Sequence, residues 1–289
     1  MVCFEGVWVP LVTPLAQGAV DHPTLHRLVA HLAAQGVAGF MPCGSTGEAA
    51  MLDEAEQDAV LATVLAAAGD KPVVMGLAGA RPERVAARAQ RLAAQQPVAG
   101  WLLAAPAYVK PSQEAIVDYF HTVASATPLP LVAYDVPART EVRIQPATLL
   151  ALADHPQIRA VKDCSGDRAA AEAVQADGRL ALLAGNDDEL FDQLARGAAG
   201  AITASAHLAT AAFVRLHRLM QAGALADARA LWRRLQPLTV AAFAEPNPAP
   251  VKAALAGQGW IQDELRAPMW PASAATAAAV LGAVDNAGS

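Results

Sequence analysis

Short apolar runs recur along this 289-residue chain, and alanine-rich segments with helical spacing separate them. The runs fall at residues 7–13, 37–42, 72–77, 100–105, 129–134, 158–162, 180–184 and 200–204. The helical patterns between them include 25–34, 54–68, 83–94, 114–126 and 208–222. Apolar runs of this length, bounded by turn residues, read as strands buried on both faces. Strands alternating with helices imply a parallel sheet. Eight such units in about 220 residues favour a closed (β/α)8 TIM barrel over an open doubly wound sheet. Helix starts are marked as well. Asp53-Glu54-Ala55-Glu56 has capping-box spacing, and Pro111-Ser112-Gln113-Glu114 opens another helix.

From about Leu225 the strand signal stops. Helical patterns follow at 225–238, 251–256 and 272–284, interrupted by Glu245-Pro246-Asn247-Pro248-Ala249-Pro250. The expected organisation is a barrel with the catalytic site over residues 1–224 and a C-terminal helical extension over 225–289.

A net charge of −6 leaves no electrostatic footprint for nucleic acid. Charges or prolines interrupt every apolar run, so none approaches the roughly 20 residues of a membrane span. Met1-Val2-Cys3-Phe4-Glu5 lacks the basic start and long apolar stretch of a secretory leader. Cys3, Cys43 and Cys164 are odd in number and far apart, which suits free thiols in a reducing cytoplasm. His22 and His26 have i,i+4 spacing, but no HExxH accompanies them and the other five histidines are scattered. A solvated helix face, not a metal site, is expected there.

Of 21 cationic side chains only four are lysines, namely Lys71, Lys110, Lys162 and Lys252. Lys162 ends the run Ile158-Arg159-Ala160-Val161 and precedes Asp163-Cys164-Ser165-Gly166-Asp167. A lysine at a strand end has its stem in the core and its amine at the rim. Desolvation disfavours the ammonium form, so more of the amine is neutral and nucleophilic. Arginine stays charged and could not serve. Active-site groups of a barrel sit where strands end. Lys162 would end the sixth strand and Tyr134 the fifth, while Gly44-Ser45-Thr46-Gly47-Glu48 would follow the second and Tyr108 the fourth. Plainer alternatives exist for each. Lys162 could pair with Asp163, Tyr134 could be a core tyrosine, and the Gly44 to Glu48 stretch could be only a turn with a structural Glu48. Tyr108 could be a surface aromatic, and Arg139 could pair with Glu141.

Three segments carry a resemblance: Gly44-Ser45-Thr46-Gly47-Glu48, Tyr134-Asp135-Val136-Pro137-Ala138-Arg139-Thr140 and Val161-Lys162-Asp163-Cys164-Ser165-Gly166-Asp167. Smaller ones are Leu11-Val12-Thr13-Pro14, Gly185-Asn186-Asp187-Asp188 and the stretch from Glu245 to Lys252. With these segments the chain resembles the pyruvate-dependent class I aldolases, the family of dihydrodipicolinate synthase and N-acetylneuraminate lyase. The resemblance implies that Lys162 forms a Schiff base with pyruvate and that Tyr134 shuttles protons beside it. It implies that Ser45 and Thr46 bind the pyruvate carboxylate, and that Tyr108 enters the neighbouring subunit's site in a relay with Ser45 and Tyr134. Arg139 would bind the carboxylate of the second substrate, and the Ile202 carbonyl would lie near the Schiff base. No cofactor or metal is implied, and the expected assembly is a homotetramer of tight dimers.

The synthase-like members are the nearer match, which implies a lyase condensing pyruvate with aspartate semialdehyde. Two alternatives remain. One is a lyase or hydro-lyase acting on another acceptor, such as a keto-deoxy sugar acid. The other is a paralogue that binds a keto acid without turnover. Several positions depart from the family pattern. Ser45 stands for a usual threonine, Asp135 for asparagine, Glu141 for glycine and Cys164 for serine. Ala107 occupies the place of a second tyrosine in lysine-inhibited members, and Glu54 and Gln57 replace histidines of that regulatory site. Inhibition by lysine is therefore not expected.

Overall fold

Each strand in this chain is apolar on both faces because it serves two cores at once. A computed structural model describes residues 2–288. Its parallel strands are β1 (Gly6–Val9), β2 (Gly39–Phe40), β3 (Val74–Leu77), β4 (Gly100–Ala104), β5 (Leu131–Asp135), β6 (Ile158–Asp163), β7 (Ala181–Ala184) and β8 (Gly200–Ile202). They pair in the order β2-β1-β8-β7-β6-β5-β4-β3. A parallel bridge between Phe40 and Val73 joins the two ends, so the sheet closes into a barrel. Inward residues such as Trp8, Val74, Leu102, Val132, Ala160 and Leu183 form one buried cluster. Their neighbours Val7, Val9, Met75, Leu103, Val161 and Leu182 belong to a second cluster shared with the helices. This is the period-2 alternation of a strand, with both faces dry.

The surrounding helices are α1 (His22–Ala34), α2 (Glu54–Ala67), α3 (Pro82–Gln95), α4 (Gln113–Ser125), α5 (Pro137–Thr140), α6 (Pro146–Leu152), α7 (Arg168–Asp177), α8 (Leu190–Ala195) and α9 (Thr210–Gln221). The expected caps are present. Asp53 accepts from the Glu56 amide at 2.8 Å while the Asp53 amide donates to Glu56 Oε2 at 3.0 Å, and Ser112 accepts from the Ala115 amide at 3.3 Å. Most strands are a residue or two shorter than the apolar runs, and the first two are cut the most. The first ends at Val9 because Pro10 cannot donate to a ladder, and a small hairpin of Leu15–Ala16 with Ala19–Val20 follows. The second is reduced to Gly39–Phe40.

Beyond Leu225 the described residues form α10 (Leu225–Ala241), α11 (Ala249–Gly257) and α12 (Ala274–Gly288). Helix α10 packs on α9 and α12, and α11 packs on α12. The segment from α11 to α12 returns to the barrel mouth. Glu264 there accepts from the amides of Gln17 and Gly18 at 2.9 and 2.6 Å, and Arg266 grips Glu56 at 2.7 Å. No helix among the described residues is long and apolar enough to cross a membrane.

Gly39 shows how tightly the interior closes. A Cβ there would lie 2.3 Å from Trp8 Cζ3 and 2.6 Å from the Pro72 carbonyl. The Pro72 carbonyl is backbone and Trp8 is fully buried, so neither can retreat freely. Gly39→Ala is therefore expected to destabilise the fold by about 1–3 kcal/mol, read as a lower midpoint in urea unfolding. An unchanged midpoint would show that Trp8 has room to move.

Candidate active site

Strands β5 and β6 pair in a register that places Tyr134 beside Lys162. Neighbouring residues of parallel strands share a face, so both side chains point into the barrel mouth. The Lys162 amine lies 4.3 Å from the centroid of the Tyr134 ring. The two residues are only 6% and 8% exposed. Burial lowers the Lys162 pKa, and the nearby Arg139 charge acts in the same direction, while Cys164 and Asp187 oppose them. Burial raises the Tyr134 phenol well above its ordinary value, against the pull of Arg139 and of a hydrogen bond with Ser45. At neutral pH the phenol therefore holds its proton while the amine loses its own more easily.

Lys162 does not pair with Asp163. Successive strand residues face opposite ways, and Asp163 Oδ1 accepts from the Ser165 amide and hydroxyl at 2.9 and 2.6 Å. Its Oδ2 accepts from Gln193 Nε2 at 3.3 Å. Room for the amine comes from Gly185 at the end of β7. A Cβ there would lie 2.4 Å from Cys164 Sγ and 3.0 Å from Lys162 Cγ. Cys164 Sγ itself is 4.0 Å from Tyr134 Oη, and burial pushes its thiol up to about 11.

The loop after β2 turns sharply at both ends. Cys43 and Glu48 both have φ of 57°, a left-handed conformation unusual for side chains with a Cβ. The amides of Gly47, Glu48 and Ala49 donate to carbonyls within the loop. Among the described residues, the amides of Ser45 and Thr46 have no such acceptor. Thr46 Oγ1 accepts from Asn247 Nδ2 at 2.9 Å, which leaves its own proton free to donate. Two free amides and a free hydroxyl at one rim make a ready anion cradle.

Lys162, Tyr134, Ser45, Thr46, Arg139 and Ile202 line one cavity of about 480 Å³. Of the features that the sequence brings to one barrel face, Lys162, Tyr134 and the Ser45–Thr46 stretch meet here, joined by Arg139 and Ile202. Arg139 lies on α5, immediately after β5, and donates to the Asn247 carbonyl at 3.4 Å. Glu141 does not neutralise it, because Glu141 turns to Lys110 at 3.4 Å. Tyr108 is placed differently. It is 93% exposed on the loop after β4 and does not line this cavity.

Two cavity residues had no role assigned from the sequence. Asn247 touches both Thr46 and Arg139. Buried Asp187 accepts from the amides of Ala204 and Ser205 at 3.3 and 2.7 Å, fixing the chain just after β8. Both lie inside motifs visible in the sequence, but their partners are distant and left no local signal. No group of three or more His, Cys, Asp or Glu among the described residues could hold a metal.

A closed parallel barrel with a desolvated lysine ending its sixth strand places the protein among the class I, pyruvate-dependent lyases. The profile of the Dihydrodipicolinate synthetase family matches residues 3–287, and the chain belongs to that family. The 4-hydroxy-tetrahydrodipicolinate synthase of Pelobacter propionicus is 37% identical over 283 residues, covering 96% of this chain and 98% of its own. The crystal structure of dihydrodipicolinate synthase from Thermotoga maritima superposes with a TM-score of 0.94 at 31% identity, covering 99% of both chains. The enzyme from Cyanidioschyzon merolae with lysine bound also has a TM-score of 0.94, at 30% identity, covering 99% of this chain and 98% of its own.

Behind Tyr134 the strand carries Asp135, which is 1% exposed and faces the helices. Its Oδ1 accepts from the Ile144 amide at 3.2 Å, and its Oδ2 has no partner. Burial pushes this carboxyl from 3.8 up to about 7, helped by the neighbouring Asp163 charge and opposed by the Ile144 amide. A folded pKa above the unfolded one means stability that is full below pH 3.8 and lost as pH rises through 7. Asp135→Asn removes that titration and keeps the acceptor. The variant should gain on the wild type between pH 4 and 7, by up to about 4 kcal/mol above that range. Urea unfolding at a series of pH values measures the gap, and a pH-independent gap would contradict the assignment.

Proposed function

We propose that the protein is a 4-hydroxy-tetrahydrodipicolinate synthase, condensing pyruvate with aspartate semialdehyde through a Schiff base on Lys162. The observation that carries the reading is the desolvated Lys162 amine over the Tyr134 ring in a cavity that also holds Ser45, Thr46 and Arg139. The neutral amine adds to the pyruvate carbonyl and water leaves, giving a protonated imine. This imine withdraws electrons from the methyl carbon, which loses a proton and becomes an enamine. The enamine carbon attacks the aldehyde, whose oxygen takes a proton as the new bond forms. The acceptor's own amine then adds to the imine carbon and displaces the Lys162 amine, which closes the product ring and frees the enzyme. Tyr134 relays these protons. Ser45 and Thr46 hold the pyruvate carboxylate with their free amides and the Thr46 hydroxyl. Arg139 meets the carboxylate of the aldehyde, its guanidinium spared by the turn of Glu141 to Lys110. The Ile202 carbonyl sits by the imine. No cofactor or metal enters this scheme.

The exposed Tyr108 fits a residue that completes the site of a second copy, with Ser45 and Tyr134 as its relay partners. We place the enzyme in the cytoplasm as a homotetramer, with the barrel at residues 1–224 and the helical extension at 225–289.

Borohydride reduction in the presence of pyruvate is expected to fix one adduct on Lys162, detected by peptide mass spectrometry. No adduct there would defeat the Schiff-base reading. A turnover assay with a panel of aldehydes then tests the acceptor. Turnover of a sugar aldehyde with none of aspartate semialdehyde would move the assignment to a sugar-acid lyase.

Lysine below about 1 mM is expected to leave the rate unchanged, by a steady-state assay. A second cavity of about 490 Å³ beside the site is lined by Ala49, Ala50, Met51, Ala78, Ala80 and Ala107, among others. Apart from Ser45, Tyr134, Arg139 and Asn247, which it shares with the active-site cavity, it offers a second ammonium few polar partners. Glu48, a carboxylate on that wall, is already bound to Lys252 at 2.6 Å. Gln57 is committed to the carbonyls of Ala49 and Leu52 at 2.8 and 3.1 Å. Inhibition in that range would show that the site accepts lysine through other groups.

A further inference from the structure

The Glu48–Lys252 pair lies in the fold core, 0–1% exposed, with Lys252 Nζ 2.6 Å from Glu48 Oε1. Buried ion pairs are poor stabilisers, because desolvation offsets most of the attraction. Apolar residues of similar volume would hold this place as well, so a geometric role is the better account. Lys252 Nζ also donates to the Thr13 carbonyl at 2.9 Å. Thr13 Oγ1 in turn donates to the Gly47 carbonyl at 2.8 Å. Gly47 precedes Glu48, so the contacts close a ring through Glu48, Lys252, Thr13 and Gly47. The free Glu48 oxygen, Oε2, accepts from the Arg266 amide at 2.8 Å. Five residues before Lys252, Asn247 holds Thr46. The chain after α10 therefore grips the β2 loop at Thr46 and at Glu48. Between these grips and the left-handed Cys43 lie the two free amides. Left-handed residues with side chains persist only where their surroundings over-determine them.

We propose that the Glu48–Lys252 pair is a positioning device that bolts the β2 loop so that the Ser45 and Thr46 amides face Lys162. The inference rests on the reading above that this loop takes the pyruvate carboxylate. Neither residue touches substrate. Their effect passes through the loop backbone, so it falls on pyruvate affinity more than on the rate at saturation.

Two variants test this. Glu48→Asp keeps both charges and shortens the tether by one methylene. The double variant Glu48→Gln with Lys252→Met removes both charges at similar volume, so no lone ion is left buried. The readout is the pyruvate concentration giving half-maximal borohydride trapping on Lys162. Both variants are expected to raise it by about tenfold or more, with wild-type yield of adduct at saturating pyruvate. A purely structural pair would lower the unfolding midpoint and leave that concentration unchanged. A folded variant that traps pyruvate at the wild-type concentration overturns the proposal. So does a failure of both variants to fold, since the pair is then structural. No adduct on the wild-type protein would instead overturn the pyruvate reading, and the bolt with it.

Discussion

Closing a parallel sheet on itself leaves no edges and a single interior, and that interior has to be filled from the strands' inward side chains. Trp8 over Gly39 is the tightest expression of this demand, and it accompanies a second strand of only two residues. The inward layers below are apolar, from Val74 and Leu102 through Val132 and Ala160. The last layer, at the strand ends, is where polar side chains can enter without burying an unpaired group. Tyr134 and Lys162 occupy it as register partners. Their stems finish the packing and their heads meet the cavity. The low basicity of Lys162 thus follows from barrel closure, because the layers beneath exclude the water that would solvate its ammonium.

The alternation of strand residues also sorts the charges. Tyr134 and Lys162 face inward, while Asp135 and Asp163, the next residue on each strand, face outward. Two carboxylates thus sit one residue beyond the phenol and the amine but across the sheet wall from them. Had they faced inward, their charges would have held Lys162 as an ammonium. Inside, the phenol and the Cys164 thiol are both pushed up by burial and stay neutral. Two acids line the cavity: Asp187 is engaged by the Ala204 and Ser205 amides, and Glu245 by the Ser273 hydroxyl. Arg139 at the rim is left as the exposed positive charge facing incoming carboxylates.

Much of this was legible in the sequence, for local reasons. Strand positions follow from apolar runs, and helix starts follow from caps such as Asp53 and Ser112, which bond within their own first turn. Lys162 was legible because a lysine at a strand end is odd in a chain that prefers arginine. The same oddity marks Lys252, yet its meaning could not be read. Its carboxylate partner lies 204 residues away and its carbonyl partner 239 residues away, and nothing in Val251 to Leu255 hints at either. Asn247 and Asp187 were missed for the same reason. The shortness of β2 was also hidden, since the apolar run from 37 to 42 reads as a longer strand. Tyr108 is a different case. Its position after β4 was foreseen, but it is exposed and lines neither cavity, so its expected role is not met within one chain.

Two ion pairs of opposite kind flank the two positions where carboxylates would bind. The Glu48–Lys252 pair is dry, close and linked to backbone on both sides, so it holds the loop against α11 and the chain before α12. The Lys110–Glu141 pair is 3.4 Å long and more than half exposed, a kind usually worth about 0–1 kcal/mol. Its importance lies in where it keeps the Glu141 carboxylate. Glu141 takes a left-handed backbone as the C-cap of the short helix carrying Arg139. From there its side chain could have turned to either cation. By taking Lys110 it leaves the Arg139 fork free, though only by a small margin of energy. On the proposed reading, recognition of pyruvate would rest on a buried constraint that few substitutions could preserve. Recognition of the aldehyde would rest on a surface balance that one residue could tip. That asymmetry is a physical reason for a family to keep its imine chemistry constant while its acceptors change.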